Sequence, residues 1–438
     1  MKNSFKVKTI STLVLAFVVA AGAGAVPVTL AEARKLAVEK SQTVAQAQLA
    51  VKSAKYGEIS AQAEFLPSIS GSGGLSASSA DWAALTTTPS IGLSASQTLF
   101  SGGTRINALK SAQFTTTQNI EALRAARLSV IAETDTRFLD ALKTKRTYET
   151  SLKDLEAAEM KLEIAKAKKE AGTFAETDFL STQSSWATKK TASVQAKWAA
   201  AASERKLDSY LGKTVESIPL DDAEYGTLAK TVKEKAEADL DAFVKALYDK
   251  GRAADPGLRK KEAAVAIAEL GVKTKTAAFF PTVSFSASVK SSKNASSDLR
   301  TDSSLGISAS IPLFPISSRS SAVDIAKLST ETAVSLVASA EEDLRLSFYT
   351  TTLGILSAAG QIESADAALA YAEQNHKLAL EKFRLGSGTI SDLTDAEATL
   401  ATARAQTINA RFSLYAAVTD LGRLLGEEKE KGLVDALP

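Results

Sequence analysis

The amino-acid sequence predicts an α+β membrane protein, in which strands of a transmembrane β-barrel are continuous with very long helices. Three observations lead to this fold class. The chain contains two copies of one pattern, four segments alternate apolar with small polar residues, and each copy includes a long uninterrupted stretch of helical sequence. Four strands cannot close a membrane barrel, so several chains are expected to share one.

Residues 1–25 have the layout of a signal peptide. Three lysines precede an apolar run that is shorter than the about 20 residues of a membrane-spanning helix and that ends in small residues. Cleavage is expected after either Ala23 or Ala25, and the sequence leaves both sites open. This segment is therefore excluded from the predicted fold, and the mature chain is expected to be exported.

The composition excludes several classes of function. Removing the three lysines lowers the net charge from +2 to −1, which gives no electrostatic reason to expect a nucleic-acid partner. The chain has no cysteine, which excludes disulfides, thiolate metal sites, a catalytic thiol and a lipid anchor on cysteine. Its one histidine, His376, lies in sequence typical of an exposed helix face. We predict no enzyme activity, cofactor or metal site; a periplasmic enzyme acting through carboxylates is a disfavoured alternative.

The internal repeat divides the chain. Phe65 and Phe279 lie 214 positions apart, and the pairs Leu99/Leu313, Gly172/Gly386, Asp178/Asp392 and Leu211/Leu425 keep the same offset. A constant offset over this distance means that the copies differ by no net insertion. The predicted divisions are a first repeat at 26–212, a linker at 213–239, a second repeat at 240–426 and a C-terminal tail at 427–438.

Each repeat has the same order of predicted elements. A helix comes first, at about 29–63 and 240–277, and a strand hairpin follows at about 66–100 and 280–314. A helical hairpin completes the repeat, at 101–212 and 317–426. At 1.5 Å per residue the first helix of each hairpin spans roughly 100 Å. A soluble coiled-coil rod would explain such helices alone, but it gives the strands no role.

The strands carry the most diagnostic pattern. In the second repeat Ser284, Ser286 and Ser288 alternate with apolar residues, which places serine on one face and apolar side chains on the other. Phenylalanines occur at one end of the strands, where an aromatic girdle would lie: Phe65, Phe100, Phe279, Phe280 and Phe314. A soluble sandwich also alternates, but its polar face usually carries lysine and glutamate. Two chains would supply about 8 strands and three about 12, and only the larger barrel leaves room for a lumen. The sequence favours three chains without proving three.

The turn of each helical hairpin contains the candidate functional residues. Gly172 and Gly386 are expected to end one helix. Thr177 with Asp178, and Ser391 with Asp392, are expected to open the next helix and cap it. Asp392 and Asp395 share one helical face, so three chains meeting there would form a ring of carboxylates that favours cations and could hold a divalent ion. Capping and ring formation are compatible for Asp392, whereas capping is the favoured role of Asp178.

The mature chain resembles the TolC-type outer-membrane efflux protein family. The resemblance rests on the two repeats and on residues 381–396, which are similar to the family's periplasmic helical tip; residues 171–178 are a looser counterpart. It implies a homotrimer with a twelve-stranded barrel in outer-membrane lipid and an α-helical barrel across the periplasm. It also implies a passive exit duct of a tripartite efflux or type I secretion system, opened at the tip by an adaptor protein and an inner-membrane transporter.

Two positions depart from the family's type member, which has a tyrosine in place of Phe383 and an arginine in place of Gly388. The tyrosine's hydroxyl hydrogen bond is therefore lost at the expected gate, and the closed state is expected either to depend on packing of Phe383 or to leak more. The alternative function is an exported coiled-coil scaffold of the cell envelope. The sequence does not discriminate among cargoes.

Overall fold

A computed structural model describes residues 26–78, 86–220, 222–293 and 299–426. The predicted signal peptide with its cleavage sites and the C-terminal tail lie outside the described residues. The elements, in chain order, are β1 (Val26–Val28), α1 (Leu30–Lys40), α2 (Gln42–Ala63), β2 (Ser68–Ser78), β3 (Thr86–Ser101), α3 (Thr104–Glu170), α4 (Glu176–Leu211), β4 (Val215–Ser217), α5 (Asp222–Ala238), α6 (Leu240–Ala254), α7 (Pro256–Ala277), β5 (Thr282–Ser292), β6 (Arg300–Ser310), α8 (Ile316–Leu385) and α9 (Ile390–Leu424).

The two strand hairpins form one antiparallel sheet in the order β2-β3-β5-β6, with β3 pairing β5 across the repeats. Side chains alternate between the two faces along each strand, and the register pairs like positions of neighbouring strands. Serines therefore lie on one face of the sheet and apolar side chains on the other. One row of serines crosses all four strands, and the adjacent row, on the opposite face, is apolar. The two rows are Ser70, Ser94, Ser288 and Ser304, and Ile69, Ala95, Ala287 and Leu305. Hydroxyl groups pair across strands, with 2.8 Å between Ser70 Oγ and Ser94 Oγ. The sheet therefore has one hydroxyl face and one apolar face, as the alternation predicted.

The helices continue the sheet as two further layers. Nearer the sheet the packing order is α2, α3, α7, α8, and nearer the hairpin turns it is α4, α3, α9, α8. Together with the sheet order, this leaves β2, α2 and α4 along one edge of the described chain, and β6 and α8 along the other. We call these the first edge and the second edge. Within the described ranges, no helix combines the length and the hydrophobicity needed to cross a membrane.

In each repeat, an arginine in the first turn of the long helix contacts the residues that end the helix before the strand hairpin. Arg105, in the first turn of α3, donates to the Glu64 carbonyl at 2.9 Å and lies 5.3 Å from the centroid of the Phe65 ring. Arg319, 214 positions later, donates to the Ala278 carbonyl at 3.4 Å and lies 5.2 Å from the Phe279 ring. Both accepting carbonyls belong to residues that end a helix, where a cation is favoured.

The structure divides several segments more finely than the sequence predicted. The single helix expected at 29–63 is α1 and α2, because Ser41 has an extended backbone and its hydroxyl accepts from the Val44 N–H at 3.3 Å. Asp255 and Pro256 separate α6 from α7 in the same way. Residues 213–239 contain β4 and α5, and β4 pairs with β1 in parallel.

These middle elements pack around the long helices. A buried ion pair joins α1 to α3, with 2.6 Å between Arg34 Nε and Asp135 Oδ1. An apolar cluster joins α5 and α6 to α8 and α9, with Phe348 and Leu247 fully buried. Apolar burial is thus concentrated at mid-height, while the hairpin turns project beyond it.

Candidate functional site at the helical-hairpin tips

Glycine reverses the chain at both hairpin turns. Gly172 follows α3 with φ of 71°, and Gly386 follows α8 with φ of 76°. This left-handed conformation is cheap for glycine and costly for residues with a Cβ. The Gly386 N–H donates to the Phe383 carbonyl at 3.2 Å, which closes the last turn of α8.

Gly388 is needed for a different reason, the closeness of its neighbours. A Cβ at this position would lie 2.9 Å from Lys382 Cβ and 3.2 Å from the Phe383 nitrogen. The Gly388 N–H also donates to the Lys382 carbonyl at 3.1 Å. A larger residue here would therefore shift the turn that follows α8.

Phe383 lies where the two hairpins meet. Its side chain is 2 % exposed, and its ring packs edge-on against Phe174 with the centroids 6.1 Å apart. Lys168 Nζ of α3 lies 4.2 Å from the Phe383 ring centroid and donates to the Phe383 carbonyl. We call Lys168, Phe174 and Phe383 the tip cluster; it combines an aromatic contact, a cation–π contact and a cation at a helix C-terminus.

Two ion pairs between α3 and α9 lie behind the tip cluster. Lys161 is 1 % exposed, and its Nζ donates to Glu397 Oε2 at 2.9 Å and to Thr394 Oγ1 at 2.8 Å. Farther from the turns, Arg404 Nη1 lies 2.6 Å from Asp154 Oδ1. A buried pair of this kind fixes two helices relative to each other, because separating them leaves a charge without a partner.

Asp392 closes a capping box at the start of α9. Its Oδ2 accepts from the Thr389 hydroxyl at 2.7 Å and from the Thr389 N–H at 3.1 Å, while Thr389 Oγ1 accepts from the Asp392 N–H. The hydrogen bonds from Thr389 lower the pKa of the Asp392 carboxyl. The capping residue is thus Thr389; the sequence had assigned Ser391 and Asp392 to open the helix.

The other predicted acids occupy different surroundings. Asp395 is exposed, one turn beyond Asp392 on α9. The expected cap of α4 by Thr177 and Asp178 is wrong, because α4 begins after Ala175, which makes no side-chain capping hydrogen bond. Asp178 is half-buried in the first turn of α4, on the other hairpin, where its charge is favoured by the helix dipole. Among described residues, acidic and histidine side chains form no group of three or more that could hold a metal ion. Asp178 thus lies on the first hairpin, whereas Asp392 and Asp395 lie on the second.

Sequence reasoning missed the residues that bind the two hairpins together. Lys168 has the pattern of an ordinary last-turn base, and Lys161 that of a charge on a solvated helix. Their acceptors lie more than two hundred positions away, so nothing local reveals them. His376, expected on an exposed face, is half-buried, and burial lowers its pKa.

A hydroxyl-faced antiparallel sheet continued by paired helical hairpins in two repeats defines the class of outer-membrane channel proteins. The chain belongs to the outer membrane efflux protein family, whose sequence profile matches residues 33–213 and 247–427. The two matched ranges begin and end 214 positions apart, the offset of the internal repeat.

Solved channel structures share this fold. The outer membrane protein VceC of Vibrio cholerae is 15% identical, with 91% of this chain and 96% of that chain covered at a TM-score of 0.76. The CmeC outer membrane channel of Campylobacter jejuni is 16% identical, with 93% and 90% covered at 0.74. The MtrE channel of Neisseria gonorrhoeae, in its open state, is 16% identical, with 91% and 89% covered at 0.73. A search of curated proteins returned no match.

Proposed function

We propose that three copies of the chain form a passive exit duct, which joins a barrel of twelve strands in the outer membrane to an α-helical barrel in the periplasm. The duct would serve a tripartite efflux or type I secretion system. An adaptor protein and an inner-membrane transporter would open its helical tips. The duct performs no catalysis and binds no cofactor.

The observation that carries this proposal is the pair of open edges. On one side the sheet and both helical layers end in β2, α2 and α4, which belong to the first repeat. On the other side they end in β6 and α8, which belong to the second repeat. An interface between two different edges is heterologous, and such an interface closes into a ring when the rotation allows. A ring pairs β2 with β6 and leaves no strand edge in lipid, which a membrane sheet requires.

The two faces of the sheet support the location of the barrel. Leu305 and Ile307 on the apolar face are 77% and 70% exposed, and Phe314 at the strand end is 88% exposed. Exposed apolar area of this extent is stable against lipid, while the serine rows suit a water-filled lumen. A soluble scaffold would have no partner for this apolar face.

The tip contacts support a gate. The tip cluster and the Lys161–Glu397 pair join the first hairpin to the second and would hold the turn of the second hairpin inward. In a closed trimer Asp392 and Asp395 from each chain would surround the narrowest point and favour cations. Separating the hairpins at these contacts would widen the opening.

Planar-bilayer recording from the purified protein tests the proposal. A duct that is extracted in detergent and inserted into the bilayer gives discrete conductance steps. Separating the hairpins increases the size of these steps. A scaffold gives no conductance and stays soluble after detergent is removed, and that outcome would overturn the channel function.

A further inference from the structure

Charged residues are rare on the sheet, and they share one face. The strands β2 and β3 contain no charged residue, whereas β5 contains Lys290 and β6 contains Arg300 and Asp302. All three lie an even number of positions from Ser288 or Ser304, so strand alternation places them on the hydroxyl face. The apolar face of these four strands therefore carries no charge.

The three charges also share one end of the sheet. The helices join the sheet at its other end, where β5 begins at Thr282 and β6 ends at Ser310. Lys290 follows Thr282 by eight positions, which is about 27 Å along a strand. Its register partner on β6 is Asp302. In a duct whose helices lie in the periplasm, this is the outer end of the sheet.

Two of the three charges neutralise each other. Arg300 Nε lies 2.9 Å from Asp302 Oδ1. Lys290 is exposed, and it makes no ion pair with any residue that the structure describes. Each copy therefore has one net positive charge on the hydroxyl face of its strands, and Lys290 carries it.

The neighbours of Lys290 leave its side chain free to extend away from the sheet. Its register partner on β3 is Gly92, which has no side chain, and the next position across the sheet is Ser72 of β2. In the proposed ring β6 pairs with β2 of the next copy, and β2 contains no charged residue. Ring formation therefore adds no carboxylate to this row of the sheet.

We infer that Lys290 from three copies forms a ring of cations at the outer end of the lumen, which attracts polyvalent anions. This inference rests on the proposed duct and goes beyond it, because it gives the exit an ion preference opposite to that of the acidic tip. Rotation about the ring axis keeps the three lysines at one level. Twelve strands about 4.8 Å apart and tilted by about 40° enclose a ring roughly 24 Å across. Ammonium groups that extend inward from this wall act together, because the Debye length is about 10 Å at 0.1 M salt.

The chemistry of the ring favours anions that carry several phosphate or sulfate groups. Lysine contributes a compact, strongly hydrated charge on a flexible stem, so it adapts to the position of an anionic group. One such contact in water is weak, and a single small anion gains little from it. A polyanion that meets three lysines at once gains from each of them.

Inositol hexakisphosphate, added to one side of a planar bilayer, tests the ring. The purified full chain inserts from one compartment and leaves its long polar helices there, because they cannot cross lipid. The opposite compartment therefore faces the lysine ring. We expect the polyanion in that compartment to reduce single-channel conductance in 0.1 M KCl. The reduction should disappear in 1 M KCl, where the Debye length is about 3 Å.

Two substitutions assign the effect to Lys290. Lys290→Gln removes three exposed charge contacts, which should raise the half-blocking concentration about tenfold. Lys290→Arg keeps the charge and should keep the wild-type value.

The matched control is Lys293→Gln. Lys293 follows Lys290 by an odd number of positions, and its N–H donates to the Pro89 carbonyl at 3.1 Å, so alternation places its side chain on the opposite face. Block of this variant should equal that of the wild type.

Three results would overturn the lysine ring and leave the duct intact. They are channels without block, equal half-blocking concentrations in Lys290→Gln and Lys293→Gln, and equal block from both compartments. The segments that join the paired strands contain Asp81 and Asp298, and neutralisation of the lysines by these acids predicts the first result. Protein that gives no conductance steps would overturn the duct itself.

Discussion

Replacing Lys161 with methionine should loosen the hairpin tips. Lys161 is buried, and its ammonium group is shared between Glu397 and Thr394 of α9. Methionine keeps most of the side-chain length but donates no hydrogen bond. The Glu397 carboxylate, whose side chain is only 12% exposed, would then lose its cation.

The expected cost follows from this geometry. Removing one partner of a buried ion pair costs about 3–5 kcal/mol, and the partial exposure of Glu397 places this pair near 3 kcal/mol. If the α3–α9 contact exists only while the tip is closed, that cost acts on the closed state alone. Since about 1.4 kcal/mol is a factor of ten, the open-to-closed ratio should rise about 100-fold.

Single-channel recording in planar bilayers measures this ratio as the open fraction and conductance. The control is Lys166→Met, five positions later on α3, where the side chain is exposed. The double variant Lys161→Met/Glu397→Gln should recover part of the closed state, because it removes the unpaired carboxylate as well. A Lys161→Met trace indistinguishable from that of Lys166→Met would refute the role of this pair.

Four further expectations concern other parts of the chain. Phe383→Ala removes a buried ring from the tip cluster at about 3–5 kcal/mol and should raise the open fraction; an unchanged conductance argues against a gate here. Asp395→Asn leaves the Thr389–Asp392 cap intact and should reduce cation selectivity, read from the reversal potential in a KCl gradient; an equal potential removes Asp395 from the constriction. Arg105→Met should lower the thermal stability of the assembly by about 1–3 kcal/mol more than Lys110→Met does on the same helix; equal losses would show that Arg105 does not anchor α3. Burial lowers the pKa of His376, so stability should be full above about pH 6.5 and fall as the pH drops below it, with a smaller fall in His376→Gln; parallel pH profiles of thermal unfolding contradict this.

Periodicity made the large features of the fold predictable. Strand alternation, the long helices and the repeat extend over tens of residues, so each is supported by many positions. Three-residue strands such as β1 and β4 are too short to alternate, and α5 lies in a segment that the sequence treated as a linker. The break between α1 and α2 depends on one serine cap, which a periodic pattern does not reveal.

At the tip, only local chemistry could be inferred from sequence. The sequence could place Gly172 and Gly386 after the ends of α3 and α8, because helix termination by glycine depends on only a few adjacent residues. The Thr389–Asp392 capping box is also local, but the sequence assigned its start two positions too late. Contacts of Lys161 and Lys168 depend on how the two hairpins pack, which no short pattern encodes. The roles of Phe383, Asp178, Asp392 and Asp395 in conduction stay predictions.

The mass of the assembly, measured by light scattering after membrane fractionation and detergent extraction, tests the central claim most directly. The account predicts that the protein appears in the outer-membrane fraction, needs detergent to stay in solution and has the mass of three 45.9 kDa precursor chains less their signal peptides. A species that is soluble without detergent, or one with the mass of a single chain, would contradict it.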